Sequence, residues 1–540
     1  MTVTKYLLDG ALERPDLAII LCFGILAVFF IRSHTQQVKG KPLPRPKGYP
    51  ILGNATQLGE MPWLQMEKWS KEFGPIFQLN LAGQSAVVLN NYRVAAELLD
   101  KRSGIYSDRP RMIMTSEILC GNHFFPFLRY GDTWRRFRKA AHEGLTPRAV
   151  ESYTRFQERE TPMLLEALAK EPQAWSGHLN RHVLVPLTTM HPAVASSTLG
   201  LCYAFPSIES YDDSVVTGMM NFIHRLEQAA KPGAFLVEMF PVMNHVPTWL
   251  AGWKRFGNAC HAHDTEMFTK LYEEARLRSE SGQSGACVSS LLFEKSDIDN
   301  KTAAWLAGTL FGAGSATTAA VHQVFVLAMV LHPHAMRKAQ AEIDAVVGRN
   351  RLPNAGDRDK LTYTRALMRE IIRWRSIGPL GVPHYLMEDD VFEGYHIPKN
   401  SIVFFNQWAM NNDREVYGDP EIFRPERFLD ENEEREVIPP NTHGEGHTLF
   451  GYGRRRCPGF AVANNTILLN IATILWAFNI EKGRDAEGNL VTPNPDDQID
   501  EGLVVLPVPF PASFVIRDPL NFSEVVTQAR LDTAAAAERD

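Results

Sequence analysis

One cysteine concentrates the chemistry of this chain. Cys457 lies in the run Phe450-Gly451-Tyr452-Gly453-Arg454-Arg455-Arg456-Cys457-Pro458-Gly459. Three arginines precede the thiol, and Pro458 is a favoured first residue of a helix. Nearby cations and a helix N-terminus both lower a thiol's pKa, so the pattern predicts a thiolate poised to bind a metal. Gly453 and Gly459 have no Cβ, which lets backbone come close to a flat cofactor. The alternative is an inert buried cysteine, for which a triple-arginine flank is a poor setting.

Further candidates are spread along the chain. Glu370 and Arg373 are three residues apart, which places both on one face of a helix. Taken alone, that spacing is a common helix salt bridge. Pro425-Glu426-Arg427-Phe428 adds a third charged partner, Arg427, and Trp134-Arg135-Arg136-Phe137-Arg138 is a basic helical stretch with one indole. Ala313-Gly314-Ser315-Ala316-Thr317-Thr318 places three hydroxyls among small residues of a long apolar helix. Dinucleotide, phosphate-loop, nucleophile-elbow and HExxH patterns are absent. His443-Gly444-Glu445-Gly446-His447 looks like a metal box, but its glycines predict a loop. His261-Ala262-His263-Asp264 reads as a solvated helix face.

In this order the motifs resemble those of the cytochrome P-450 superfamily, and specifically its fungal microsomal, secondary-metabolism type members. The Cys457 run fits F-x-x-G-x-R-x-C-x-G at Phe450, Gly453, Arg455, Cys457 and Gly459. Glu370 and Arg373 match ExxR, Arg427 falls in the PERF element, and Trp134 and Arg138 match WxxxR. The match extends from Pro42 to about residue 517. The resemblance implies haem b (iron protoporphyrin IX) ligated by Cys457. Arg455, Trp134, Arg138 and His384 would serve its propionates. Glu370, Arg373 and Arg427 would form a structural network that locks the cysteine loop. It also implies the fold: mainly α with small β-sheets, the haem buried between a long central helix and the Cys-ligand loop.

The implied activity is monooxygenation of a lipophilic small molecule, a fungal secondary metabolite among the candidates. Oxygen and NADPH-derived electrons would be used. The chain has no flavin or nicotinamide motif, so the partner is a separate NADPH-cytochrome reductase, with cytochrome b5 as a further donor. Thr317, Ser315 and Thr318 are the candidate catalytic hydroxyls. Ala316 occupies the position where the family carries an acid that helps relay protons. That departure keeps a redox-neutral haem-thiolate isomerase or dehydratase as one alternative, and a non-catalytic haem- or lipid-binding membrane protein is another. The regions Ser116–Phe127, Ala313–Thr317, Ile377–Val382 and around Leu503 would form mostly apolar substrate walls.

These residues need a scaffold, and the pattern predicts one. Pro75 onwards reads as a hairpin turning at Gly83, followed by helix near Ala95–Leu99. A long helix is predicted over Thr302–Leu331, capped by Asn300, closed by His332-Pro333 and apolar almost all round, so it should run through the core. Helices are predicted over Tyr363–Arg375 and Phe460–Phe478, and strands over Tyr395–Ile397 and Ile402–Phe405. Residues 411–450 read as turns. Gly502–Ile516 reads as a closing hairpin interrupted by prolines, and the terminal residues as a loose polar tail.

The chain has 540 residues, 45% of them hydrophobic and 22% charged, which excludes disorder and small disulfide scaffolds. A net charge of −6 gives a nucleic-acid partner no support. Its six cysteines have wide, irregular spacings and no CxxC, as suits a reducing compartment. Leu17–Ile31 is an uninterrupted apolar run, roughly 22 Å long as a helix. The lysines and arginines after it, Arg32 to Lys47, predict that the bulk of the chain is cytosolic. The expected organisation is an anchor and flank over 1–40 and a catalytic domain over 41–540. The expected location is the endoplasmic reticulum membrane, held by that single anchor.

Overall fold

The computed structural model describes residues 40–179, 193–208, 213–231, 233–282 and 286–537. The apolar run Leu17–Ile31 lies outside the described residues. The chain divides into two compact units, Met1–Leu43 with Glu388–Lys399, and Pro44–Met387 with Asn400–Asp540. In the first, Lys41–Pro42 pairs in parallel with Tyr395–Ile397, which pairs antiparallel with Asp390–Phe392. The predicted strand Tyr395–Ile397 is present with its predicted bounds.

The second unit holds the candidate chemistry and is mostly helical. Strands β1 (Ile76–Leu81) and β2 (Gln84–Leu89) form the predicted hairpin, which turns through Ala82 and Gly83 at positive φ. Helices α1 (Asp132–Gly144), α2 (Thr154–Lys170), α3 (Ala193–Tyr203), α4 (Ser214–Ala230) and α5 (Gly252–Glu280) follow. Next come α6 (Asn300–Leu331), α7 (Thr362–Trp374), β3 (His384–Tyr385), β4 (Ile402–Phe405) and α8 (Phe460–Ala477). The four strands form one sheet in the order β1-β2-β4-β3, with β2 and β4 parallel from Ala86↔Ile402 to Leu89↔Phe405.

The central element is α6, with 32 residues, or about 48 Å of helix. Its cap is Asp299 rather than Asn300: the Asp299 carboxylate accepts from the Thr302 amide at 3.0 Å and the Thr302 hydroxyl at 2.6 Å. It ends at His332, because Pro333 has no N–H to continue the ladder. Both α6 and α8 are apolar and long enough to cross a bilayer, yet 78% of an apolar 18-residue stretch of α6 and 67% of α8 are buried inside the protein. They are core helices, and α3, α5 and α8 all pack on α6.

Three sequence expectations need correction. Residues 502–516 form no single hairpin. Val505–Pro507 pairs with Gln498–Asp500, and Ala512–Ile516 pairs with Phe478–Lys482. Pro507 is the last residue of one ladder and Pro509 and Pro511 lie between the two strands; none has an N–H to carry the pairing onward. The expected polar tail is a helix, Pro519–Ala537, that buries Phe522, Val525 and Val526. It packs on α2, and Arg530 donates to Glu166 at 2.8 Å. The His261–Asp264 stretch is solvated only at Ala262 and His263: Asp264 is buried and paired with Arg225, and His261 stacks on Trp305.

Candidate active site

The cysteine loop is closed by its own backbone. The Cys457 amide donates to the Phe450 carbonyl at 2.8 Å, and the Gly453 amide donates to Asp100 at 2.6 Å. Gly453 has φ 58°, and a Cβ there would strike the Leu99 carbonyl, so only glycine fits. Gly459 has open space around its Cα. Phe450 is buried, with its ring near His447 and Phe460. Cys457 sits just before α8, and its sulfur accepts from the Gly459 amide. Burial nevertheless pushes the Cys457 thiol up, against that amide and the charges of Arg138 and Arg456. This corrects the expectation from spacing alone: desolvation outweighs the cations, and a metal must displace the proton.

The three consecutive arginines go three separate ways. Arg454 reaches out to the Tyr130 hydroxyl. Arg456 pairs with Glu445 at 3.1 Å, and its carbonyl accepts from Arg138 at 2.8 Å. Arg455 turns inward, donating to the carbonyls of Ser107 at 2.7 Å and Leu128 at 2.6 Å. Its guanidinium lies over the Trp134 ring, 4.5 Å from the centroid. Burial lowers the Arg455 guanidinium to about 9, which leaves it charged at neutral pH. Its Nη1 and the Nε1 of Trp134 are buried with no hydrogen-bond partner among the described residues.

Arg109 is a buried cation that sequence reasoning missed. It donates to the carbonyls of Pro126, Val382 and Pro383. Among the described residues, Arg109, Arg138 and Arg455 form no ion pair. Asp108, whose charge Arg109 and Arg455 feel, is already held by Arg129. His384 is buried, and its Nδ1 donates to the Tyr106 carbonyl at 2.8 Å. Burial, Arg109 and Arg455 all hold it neutral. In that tautomer Nε2 offers a lone pair, so donation to a carboxylate requires a proton that the nearby anion would itself favour.

On α6 the three candidate hydroxyls do not share a face. Ala313 and Thr317, one turn apart, are exposed in mid-helix, and Leu310 and Gly314 beside them are partly exposed. Ser315 and Thr318 are buried. At 100° per residue, Ser315 points nearly opposite to Ala313. The Thr317 hydroxyl donates to the Ala313 carbonyl at 2.6 Å, which leaves its oxygen free to accept. The Ser315 hydroxyl has no partner among the described residues. Met112, Ile118, Leu310, Ala316, Val382 and Leu503 are partly buried apolar residues packed against one core cluster.

Glu370, Arg373 and Arg427 meet in a buried network. The Glu370 carboxylate accepts from Arg373 at 2.7 and 2.8 Å, and from Arg427 at 3.1 Å. Arg373 also donates to the Asn411 and Pro420 carbonyls, and Arg427 to that of Tyr417. Sequence reasoning missed Asp100 and Glu445 too. Asp100 fixes Gly453 and pairs with His443, and Glu445 holds Arg456 and Asn464. Isolated acids carried no signal of those partners.

These residues fit haem. A planar dianionic macrocycle would find unneutralised guanidiniums, unpartnered N–H groups on Arg455 and Trp134, and a sulfur for its iron. Ala313 and Thr317 form an accessible strip in the middle of a core helix.

The sequence comparisons agree with this geometry. A family profile described as Cytochrome P450 matches residues 43–510. The chain is 46% identical to cytochrome P450 monooxygenase 58 of Postia placenta, over 91% of this chain and 92% of that protein. It is 40% identical to a cytochrome P450 monooxygenase of Armillaria gallica, over 94% and 95% of the two chains. It is 34% identical to the monooxygenase claR of Ampulloclitocybe clavipes, over 94% and 92%.

Proposed function

Because the chain belongs to the cytochrome P450 family and is a P450 monooxygenase, we propose that it oxidises a lipophilic small molecule, using dioxygen and electrons drawn from NADPH. Cys457 carries this reading: it is the thiol of a closed loop, and among the described residues the partly buried guanidiniums of Arg455 and Arg138 form no ion pair. Bound through that sulfur, haem supplies dioxygen activation, which thiolate donation assists.

The chain's own residues then have separable tasks. Cys457 would hold the haem iron through its sulfur. Arg455, Trp134 and Arg138 would hold the propionates, with His384 as a further group for them. Gly453 and Gly459 let backbone approach the macrocycle, and Phe450 packs the loop. Glu370, Arg373 and Arg427 fasten the turns beneath it. Thr317 carries the proton task at its Oγ1, since Ala316 has none to give and Ser315 and Thr318 lie on buried faces. The partly buried apolar residues Met112, Ile118, Leu310, Val382 and Leu503 support a lipophilic substrate.

The same reading assigns an NADPH-cytochrome reductase and cytochrome b5 as electron donors. It assigns residues 1–40 as a single anchor in the endoplasmic reticulum, with a cytosolic catalytic domain and a secondary metabolite as substrate. The test is spectroscopic and kinetic. The full chain should give the thiolate-type spectrum of its carbon-monoxide complex, and Cys457→Ala should lose it. NADPH use coupled to product should require added reductase. A wild-type spectrum from Cys457→Ala, or turnover without NADPH or reductase, would refute the reading.

A further inference from the structure

The segment Ile113–Leu119 carries part of the apolar wall, with Met112 beside it and Ile118 within it. It is held on three sides. The Thr115 hydroxyl donates to the Ala229 carbonyl at the end of α4, at 3.1 Å. Ile118 and Met114 press on Gly257 of α5, where an added Cβ would collide with both side chains. The third tie comes from the short helix Leu236–Met239, between α4 and α5. The Glu238 carboxylate accepts from the Ile113 amide at 2.8 Å and the Met114 amide at 2.7 Å, one oxygen to each.

That short helix has two distinct sides. Val237 is buried in the same core cluster as Ile113, whereas Leu236 and Met239 are 58% and 49% exposed. Packing of Leu236–Met239 against the wall is therefore thin. Two charge-assisted bonds from one side chain are its main directional tie, and such bonds are roughly twice as strong as neutral ones. Arg111 is engaged elsewhere, paired with Glu117.

We propose that Glu238 is a positioning residue for substrate: its carboxylate pins Ile113–Leu119 to the Leu236–Met239 helix, and ligand reaches the apolar side chains of Met112 and Ile118 when this pair of hydrogen bonds opens. The inference rests on reading Ile113–Leu119 as a substrate wall, and it gives the wall a defined hinge of two amides. Glutamine retains one acceptor oxygen and turns the other into a donor, so it keeps half of the clasp. Alanine removes it.

The test uses the full-length, haem-loaded protein with Glu238→Gln and Glu238→Ala. Hydrogen exchange is read at the Ile113 and Met114 amides. Association and dissociation of phenylimidazole are read by the haem absorption band in stopped flow. In Glu238→Ala both amides should exchange at least about tenfold faster. Phenylimidazole should bind and leave several-fold faster at unchanged haem content, with the unfolding midpoint lowered by the two buried amides left without an acceptor. Glu238→Gln should lie between, and it decides alone if the alanine variant fails to load haem. Wild-type exchange at both amides overturns the inference, and so does faster exchange with wild-type probe kinetics. A wild-type protein with no absorption response would count against the haem reading, and the exchange rates would then decide the clasp.

Discussion

The guanidinium of Arg455 lies over the indole of Trp134, and each of the two side chains keeps a buried N–H without a partner among the described residues. A polar group buried without a partner is costly, so the pair is shaped for an acceptor that the polypeptide does not provide. Arg455→Ala should strand the Ser107 and Leu128 carbonyls at about 1–3 kcal/mol each. It should also lower the haem-to-protein ratio. Arg455→Lys should fall between, since one ammonium cannot reproduce the fork. Urea unfolding and a haemochrome assay measure the two effects, and full haem retention in the alanine variant would contradict the propionate role.

Removing Glu370 should be severe. Arg373 is fully buried, and without its carboxylate it is an uncompensated charge costing about 3–5 kcal/mol. Glu370→Met should therefore lower the urea midpoint sharply. The double variant Glu370→Met with Arg373→Met should recover part of that loss, because it removes the fully buried charge and leaves Arg427 with Asp419 at 3.7 Å. A double variant less stable than the single one would show that Arg373 acts chiefly through the Asn411 and Pro420 carbonyls.

The hydroxyls of α6 should separate by face. Thr317→Val should raise peroxide release relative to product, because it removes the hydroxyl on the accessible strip. Ser315→Ala should leave that ratio close to wild type, since Ser315 is buried nearly opposite. Ala316→Asp should change the ratio only if Thr317 is an incomplete substitute for the missing acid. Oxygen uptake, peroxide and product measured together read all three variants. Equal effects of Thr317→Val and Ser315→Ala would defeat the assignment.

His332 should contribute a pH-dependent stability. Its ring stacks on Phe423 with centroids 4.7 Å apart, edge-on to Trp374. Burial, then His334 and Arg375, lower its pKa from 6.5 to about 4. Between those values the unfolded chain binds the proton and the folded chain does not, so stability rises with pH. The contribution is fully present above about 6.5 and is lost as pH falls through about 4. His332→Phe keeps a ring in the stack and should flatten this part of the profile. Unfolding midpoints across that window give the answer, and a variant whose profile matches wild type would exclude His332 as its source.

Much of the scaffold was legible because its signals are short-range. The strands Tyr395–Ile397 and Ile402–Phe405 and the helix α6 followed from periodicity and punctuation within a few residues. Adjacent identical residues were harder. Residue type alone does not distinguish Arg454, Arg455 and Arg456, and only the family pattern singles out Arg455; in the structure one reaches outward, one lies over an indole and one pairs with an acid. Arg109 carried no motif, and the partners of Asp100 and Glu445 lie far away in sequence.

The sequence by itself determined the ligand chemistry: a cysteine behind basic residues, set between glycines at the head of an apolar helix, within an ordered set of charged motifs. Only the tertiary structure decided how those groups behave. It raised the thiol that neighbouring cations alone would have lowered, turned a single arginine inward, and put three hydroxyls of one helix on different faces. The physical reason is that chemical identity is local, whereas desolvation and direction depend on what the rest of the chain packs around a residue.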